Sequence, residues 1–98
     1  MKRLRFEWDP RKATANRRKH GVRFEEARTV FLDENALLRP DEKHSDDEDR
    51  FVLLGLSGQV RTLVVCHCYR QNDGVIRLIS ARKANSAERQ QYEDRRMK

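Results

Sequence analysis

The sequence predicts an α+β fold: a small antiparallel sheet with two helices before it and one after it. Three observations carry that expectation. Phe51–Leu56, Val60–Tyr69 and Val75–Arg82 are consecutive strand-like runs, and Ser57-Gly58 and Asp73-Gly74 between them are two-residue turn signals. Asp9-Pro10 opens a helix that Gly21 closes, with Asp as N-cap and Pro at the first helical position. Asn85, followed three residues later by Glu88, opens the last helix as a relative of the capping box.

In chain order, Arg3–Trp8 alternates as a first strand with Leu4, Phe6 and Trp8 inward. The helix from Pro10 to about His20 gathers Arg17, Arg18, Lys19 and His20 at its negative end. Its apolar stripe is only Ala13 beside Asn16, so it docks shallowly, and Trp8 can staple onto Ala13. Phe24–Leu32 reads as a second helix with Phe24, Ala27, Val30 and Phe31 on one face. Asn35–Arg39 is a short strand, and Pro40–Arg50 is a polar loop containing Asp46-Asp47-Glu48-Asp49.

Composition bounds what this chain can be. Its 98 residues suit one domain, residues 1–98; 37% are hydrophobic and 39% charged, so the core is thin. The net charge of +6 favours a polyanionic partner. Charge runs basic, then acidic, then basic along the chain, which separates a basic binding surface from an acidic loop. Cys66 and Cys68 face the same way along one strand, a spacing unsuited to a mutual disulfide, which suggests a reducing, cytoplasmic compartment. No apolar run marks a signal peptide or a membrane span. His67 alternates to the opposite side from both cysteines, so Cys66-His67-Cys68 is not read as a zinc site, and no metal or nucleotide cofactor is expected.

Two-residue turns fix a register. Asp73-Gly74 pairs Arg70 with Arg77 and His67 with Ser80; Ser57-Gly58 sets Leu54 against Arg61 and Val52 against Leu63. One face then collects Phe51, Leu53, Val64, Cys66 and Cys68, with Arg70 and Arg77 at the tip. The other collects Arg61, His67, Ser80 and Arg82 among apolar neighbours. Like charges opposite one another need a carboxylate, such as Asp73 or Glu93, or an external anion. Arg61 and Arg82 offer guanidinium groups to phosphate, and His67 brings a group that titrates near neutrality, although a histidine in a strand is more often structural than catalytic. Tyr92, four residues after Glu88, shares a helix face with it, as packing or as a proton donor.

Phe6-Glu7-Trp8-Asp9-Pro10, Lys12-Ala13, Asn16, Lys19-His20-Gly21-Val22 and Phe24-Glu25-Glu26-Ala27 resemble the N-terminal signature of BrnT-type toxins. His44-Ser45, Glu48 and Arg50-Phe51 resemble that family's middle motif. Arg77, Ile79-Ser80-Ala81-Arg82, Ala84, Glu88 and Tyr92 resemble its C-terminal one. The resemblance implies a RelE-like fold and a type II toxin: a ribonuclease that cleaves RNA by metal-independent transesterification and inhibits translation. It implies a BrnA-type ribbon-helix-helix antitoxin as partner, with operator DNA reached only through that antitoxin. Carried over by position, Arg61, His67, Arg77, Arg82 and Tyr92 are the catalytic candidates, with Ser80 and Glu88 in support. Lys12, Lys19, Arg70 and Lys83 are the expected RNA-binding cations. The alternative reading is a basic nucleic-acid- or partner-binding module without chemistry. One tension stays open: Arg77 and Arg82 fall on opposite faces of a regular strand, and share a site only if the strand twists or bulges near Ser80.

Overall fold

A computed structural model describes residues 4–44 and 48–98. Five strands form one sheet in the order β1-β5-β4-β3-β2. They are β1 (Phe6–Glu7), β2 (Leu37–Pro40), β3 (Phe51–Leu56), β4 (Thr62–Arg70) and β5 (Val75–Lys83). The helices are α1 (Pro10–His20), α2 (Phe24–Ala27) and α3 (Ser86–Arg96). The sheet is mixed and not wholly antiparallel, because β1 runs parallel to β5 with Phe6 opposite Ile76. A parallel neighbour needs a crossover, and here the rest of the chain between β1 and β5 supplies it.

Local signals acted where they were read. The Arg11 N–H donates to Asp9 Oδ1 at 2.8 Å, and Gly21 takes the left-handed conformation at φ 69° while its N–H donates to the Arg17 carbonyl. Asn85 and Glu88 form the full reciprocal capping box. The expected second helix is shorter: it stays α-helical only through Ala27, and Arg28–Leu32 tightens into a 3₁₀ segment. Val30 and Phe31 still face the sheet from there. Of the polar loop, Asp46 and Asp47 lie outside the described residues, as does Ser45.

The expected strand register is corrected at both hairpins. The β4–β5 connection spans Gln71–Gly74, with Gln71, Asn72 and Asp73 all at positive φ, so Arg70 faces Val75 and Arg77 faces Cys68. The β3–β4 connection is also longer, and Leu54 faces Val64. That odd shift exchanges the β4 faces. Leu53, Leu63, Val65, Ile76, Leu78 and Ala81 now share the face covered by α1, α2 and the 3₁₀ segment, with Val22, Phe24, Ala27 and Val30 above them. Against the other face, α3 seats Tyr92 on Leu54, Val64 and Ala84.

Two polar devices hold the covered face. Asn16, buried in α1, spans the outer edge of β5: its Nδ2 donates to the Ala81 carbonyl at 2.8 Å and its Oδ1 accepts the Ala81 N–H at 3.0 Å. The side-chain amide thus stands in for a neighbouring strand and satisfies an edge that β1 is too short to reach. Gly55 allows the 3₁₀ segment to press close: a β-carbon there would meet Val30 Cγ1 and Ala36 Cβ at 2.9 Å.

Candidate active face

The tension over Arg77 and Arg82 resolves in β5. Cys66 faces Ser80 but His67 faces Leu78, so Ile79 is an extra residue in a β-bulge. The bulge resets the alternation. Arg77 opposite Cys68, Ser80 opposite Cys66 and Arg82 opposite Val64 therefore belong to one face, the one not covered by α1 and α2. On it, Asp41, Arg50, Val52, Val64, Cys66, Ile79, Ser80 and Arg82 line a cavity of about 300 Å³. Ile79 and Ser80 also line a second recess of about 220 Å³ with Lys12, Asn16, Lys19 and His20 of α1. Ser80 is the ridge between a guanidinium cavity and a lysine recess.

Both arginines are held by carboxylates that solvent reaches. Arg82 donates from both terminal nitrogens to Glu88 at 2.8 Å each, and Glu88 also accepts the Asn85 N–H. The hydrogen bond from Arg82 outweighs burial and holds the Glu88 carboxyl below its usual range. Arg77 donates to Glu7 at 2.6 Å. The Arg82 side chain is 44% exposed. Pairs this open are worth about 0–1 kcal/mol, so a phosphate can displace the carboxylate at little cost. Cys66 lines the same cavity; burial first, then Asp41, pushes its thiol up to about 11, so it stays protonated and is a poor nucleophile.

Of the other three catalytic candidates, Arg61 and His67 lie on the covered side, away from the Ser80 and Arg82 they were expected to join, while Tyr92 packs on the arginine face but turns its hydroxyl to Asp33. Arg61 reaches the covered side, where its guanidinium donates to both oxygens of buried Glu26 and to the Gly21 carbonyl. Glu26 also accepts the Ser57 hydroxyl at 2.6 Å, and the Arg61 bond lowers its carboxyl against the opposing effect of burial. His67 is fully buried among Phe31, Phe51 and Tyr69, with its centroid 4.8 Å from that of Phe31. Its Nδ1 lies 3.1 Å from the Val65 carbonyl and must donate to it; Nε2, 3.2 Å from the Tyr69 hydroxyl, is then the acceptor. Burial lowers its pKa further, so this imidazole is neutral and remote from the arginine face. Tyr92 is buried with its hydroxyl donating to Asp33 at 2.7 Å; burial and that bond push it up to about 12.

Of the expected RNA-binding cations, Lys12 and Lys19 sit in the recess beside Ser80. Arg70 pairs with Glu48 at 2.9 Å near the hairpin tip, and Lys83 is exposed at the end of β5. Arg50, which the sequence register also sets on the face of Ser80 and Arg82, lines the cavity together with Asp41, which no sequence pattern singles out. The long β3–β2 pairing that brings them there, with the Asp41 N–H donating to the Arg50 carbonyl at 2.8 Å, leaves no local signature.

The family model described as ribonuclease toxin, BrnT, of type II toxin–antitoxin systems matches residues 8–88. The chain belongs to the BrnT toxin family. A BrnT-family protein is a ribonuclease toxin whose type II system implies an antitoxin partner and an RNA substrate. No curated protein matches the chain. Its fold is similar to the crystal structure of the Brucella abortus ribonuclease toxin BrnT, at TM-score 0.66 and 21% identity, over 86% of this chain and 100% of that one. At that identity the likeness speaks for the fold alone. Among the described residues of this BrnT-family chain, no cluster of three His, Cys, Asp or Glu could hold a metal ion, and no helix is long and apolar enough to cross a membrane.

Proposed function

We propose that this protein is a RelE-like endoribonuclease toxin of the cytoplasm that cleaves RNA by metal-independent transesterification and so halts translation. A BrnA-type ribbon-helix-helix antitoxin neutralises it and links it to operator DNA. The observation that carries the site assignment is the bulge at Ile79, which gathers Arg77, Ser80 and Arg82 on the face away from α1 and α2.

In transesterification the ribose 2′-hydroxyl gives up its proton to water and attacks the adjacent phosphorus, and the expelled 5′-oxygen takes a proton from water, leaving a cyclic phosphate and a 5′-hydroxyl. Charge accumulates on the non-bridging oxygens in the transition state, and guanidinium groups placed there lower its energy. Arg82 takes that role once phosphate replaces Glu88 on its fork, with Arg77 on the same face as second cation. Ser80, between the two hollows, supplies a hydroxyl to hold the phosphate. Lys12 and Lys19 then take neighbouring phosphates in the α1 recess. Arg61, His67 and Tyr92 act on this reading through the fold, by fixing Glu26, the aromatic cluster and Asp33.

The test is cleavage of a labelled RNA by antitoxin-free protein in excess chelator, with the product ends identified. The proposal expects a 2′,3′-cyclic phosphate and cleavage that persists without free metal. Linear 3′-hydroxyl products, or activity abolished by the chelator and restored by a divalent ion, would remove the metal-independent mechanism.

A further inference from the structure

The RNA reading leaves the aromatic hollow at the hairpin tip unused. At the hairpin-tip end of the sheet, Leu38, Phe51 and Tyr69 are lined up with Glu48, Asp49 and Asp73 around about 620 Å³. Phe51 and Tyr69 meet edge to face with centroids 5.4 Å apart. His67 packs behind both, 5.2 Å from the Tyr69 ring, and pins the Tyr69 hydroxyl through Nε2. The floor is therefore aromatic and pre-set, and the rim is acidic.

That combination is the wrong sign for RNA and the right one for a cation. A chain of net charge +6 here concentrates three carboxylates, of which Arg70 offsets one through Glu48. Like charge repels a phosphate backbone. An ammonium or guanidinium gains from the carboxylates and from the ring faces together. Leu38, 52% exposed on the edge strand β2, extends the hollow as apolar surface. Phe51 pairs with His67 and Tyr69 with Ile76, which places their side chains on the opposite face from Arg77, Ser80 and Arg82.

We infer that this groove seats a Lys or Arg side chain of the antitoxin, with an adjoining apolar residue of the same segment over Leu38. The inference rests on the antitoxin partnership implied by the family. Charge complementarity selects a basic protein segment, and aromatic floors that receive an Arg or Lys make strong interface anchors. The antitoxin thus holds the toxin at a point separate from the RNA face, and whatever covers the arginines is tethered there.

Titration calorimetry of the full-length cognate antitoxin into the purified full chain tests this. The Asp49→Lys/Asp73→Lys variant changes exposed positions only, and its melting temperature checks the fold. We expect binding weakened by about 30-fold or more, since like charges across an interface are costly, while RNA cleavage by the free protein stays within about twofold of wild type. Leu38→Arg, on another element, should weaken binding in the same direction. Lys→Glu or Arg→Glu in one antitoxin position should restore affinity to the double variant. Unchanged antitoxin affinity in both variants would overturn the inference, as would cleavage falling in step with binding, which would give the groove to RNA. A wild type that binds antitoxin but leaves RNA intact would sink the ribonuclease reading and leave this one standing.

Discussion

The two faces of the sheet spend their arginines differently. On the covered face, Arg61 meets a Glu26 side chain that is only 3% exposed and shares it with Ser57. On the arginine face, Arg82 and Arg77 meet carboxylates 22% and 34% exposed, and Arg82 lines a cavity. The first pair is locked because leaving the buried Glu26 charge alone is expensive; the second is exchangeable because water already screens both partners. Residue type alone does not separate a structural arginine from a functional one. The burial of its partner does.

The comparison breaks most sharply at Arg61. Arg61→Ala strands the Glu26 carboxylate and should cost about 3 kcal/mol or more in urea unfolding. Cleavage measured on the folded fraction should stay near wild type. A stable Arg61→Ala protein without activity would move Arg61 back into the site.

Tyr92→Phe sharpens the account next. Asp33 binds the Leu56 N–H, the Asn35 N–H and the Tyr92 hydroxyl, so it ties the 3₁₀ segment to β3 and α3. Loss of the hydroxyl should cost about 1 kcal/mol by leaving the half-buried Asp33 carboxylate one donor short. The pH dependence has a defined sign. Burial would raise Asp33, but its three hydrogen bonds prevail and lower it below 3.8. Its stabilisation is present above about 3.8 and is lost as pH falls through the lower folded value. Tyr92 is raised from 10.0 to about 12, so its contribution is present below 10.0 and fades as pH climbs towards 12. The Phe variant should lose the alkaline part of the wild-type unfolding profile; an unchanged profile would contradict the bond.

The smallest effect is expected at Val60, a β-branched residue at φ 61° and 77% exposed. Val60→Gly should stabilise by about 1 kcal/mol, because left-handed backbone strains Val and suits Gly. A destabilised variant would show that the side chain does more at the turn than strain it.

These elements also mark what the sequence made legible. Caps at Asp9, Gly21 and Asn85 depend on a few adjacent residues, and all three formed. The strand β3 had the expected bounds because its apolar run ends at turn residues. Register was not legible. Gln71, Asn72 and Asp73 enter the left-handed region without being glycine, and Val60 does so against its preference, so the turns are longer than Asp73-Gly74 and Ser57-Gly58 suggest. The parallel β1 and the Asn16 bridge to Ala81 depend on partners about 65–70 residues away. For the site, Arg77, Ser80 and Arg82 were named together, and their shared face needed the bulge at Ile79. His67 was named because histidine titrates near neutrality, yet its strand position turned it into an aromatic pocket.

The central claim is that the chemistry belongs to the open face and not to the buried imidazole. RNA cleavage by Arg82→Ala and His67→Phe, each corrected for its folded fraction, tests it most directly. Arg82→Ala should lose about 100-fold or more, the usual loss when a charge-stabilising group is removed. His67→Phe, an aromatic in an aromatic pocket, should cleave within about threefold of wild type. A folded His67→Phe protein without activity, or an Arg82→Ala protein that cleaves normally, would contradict the account.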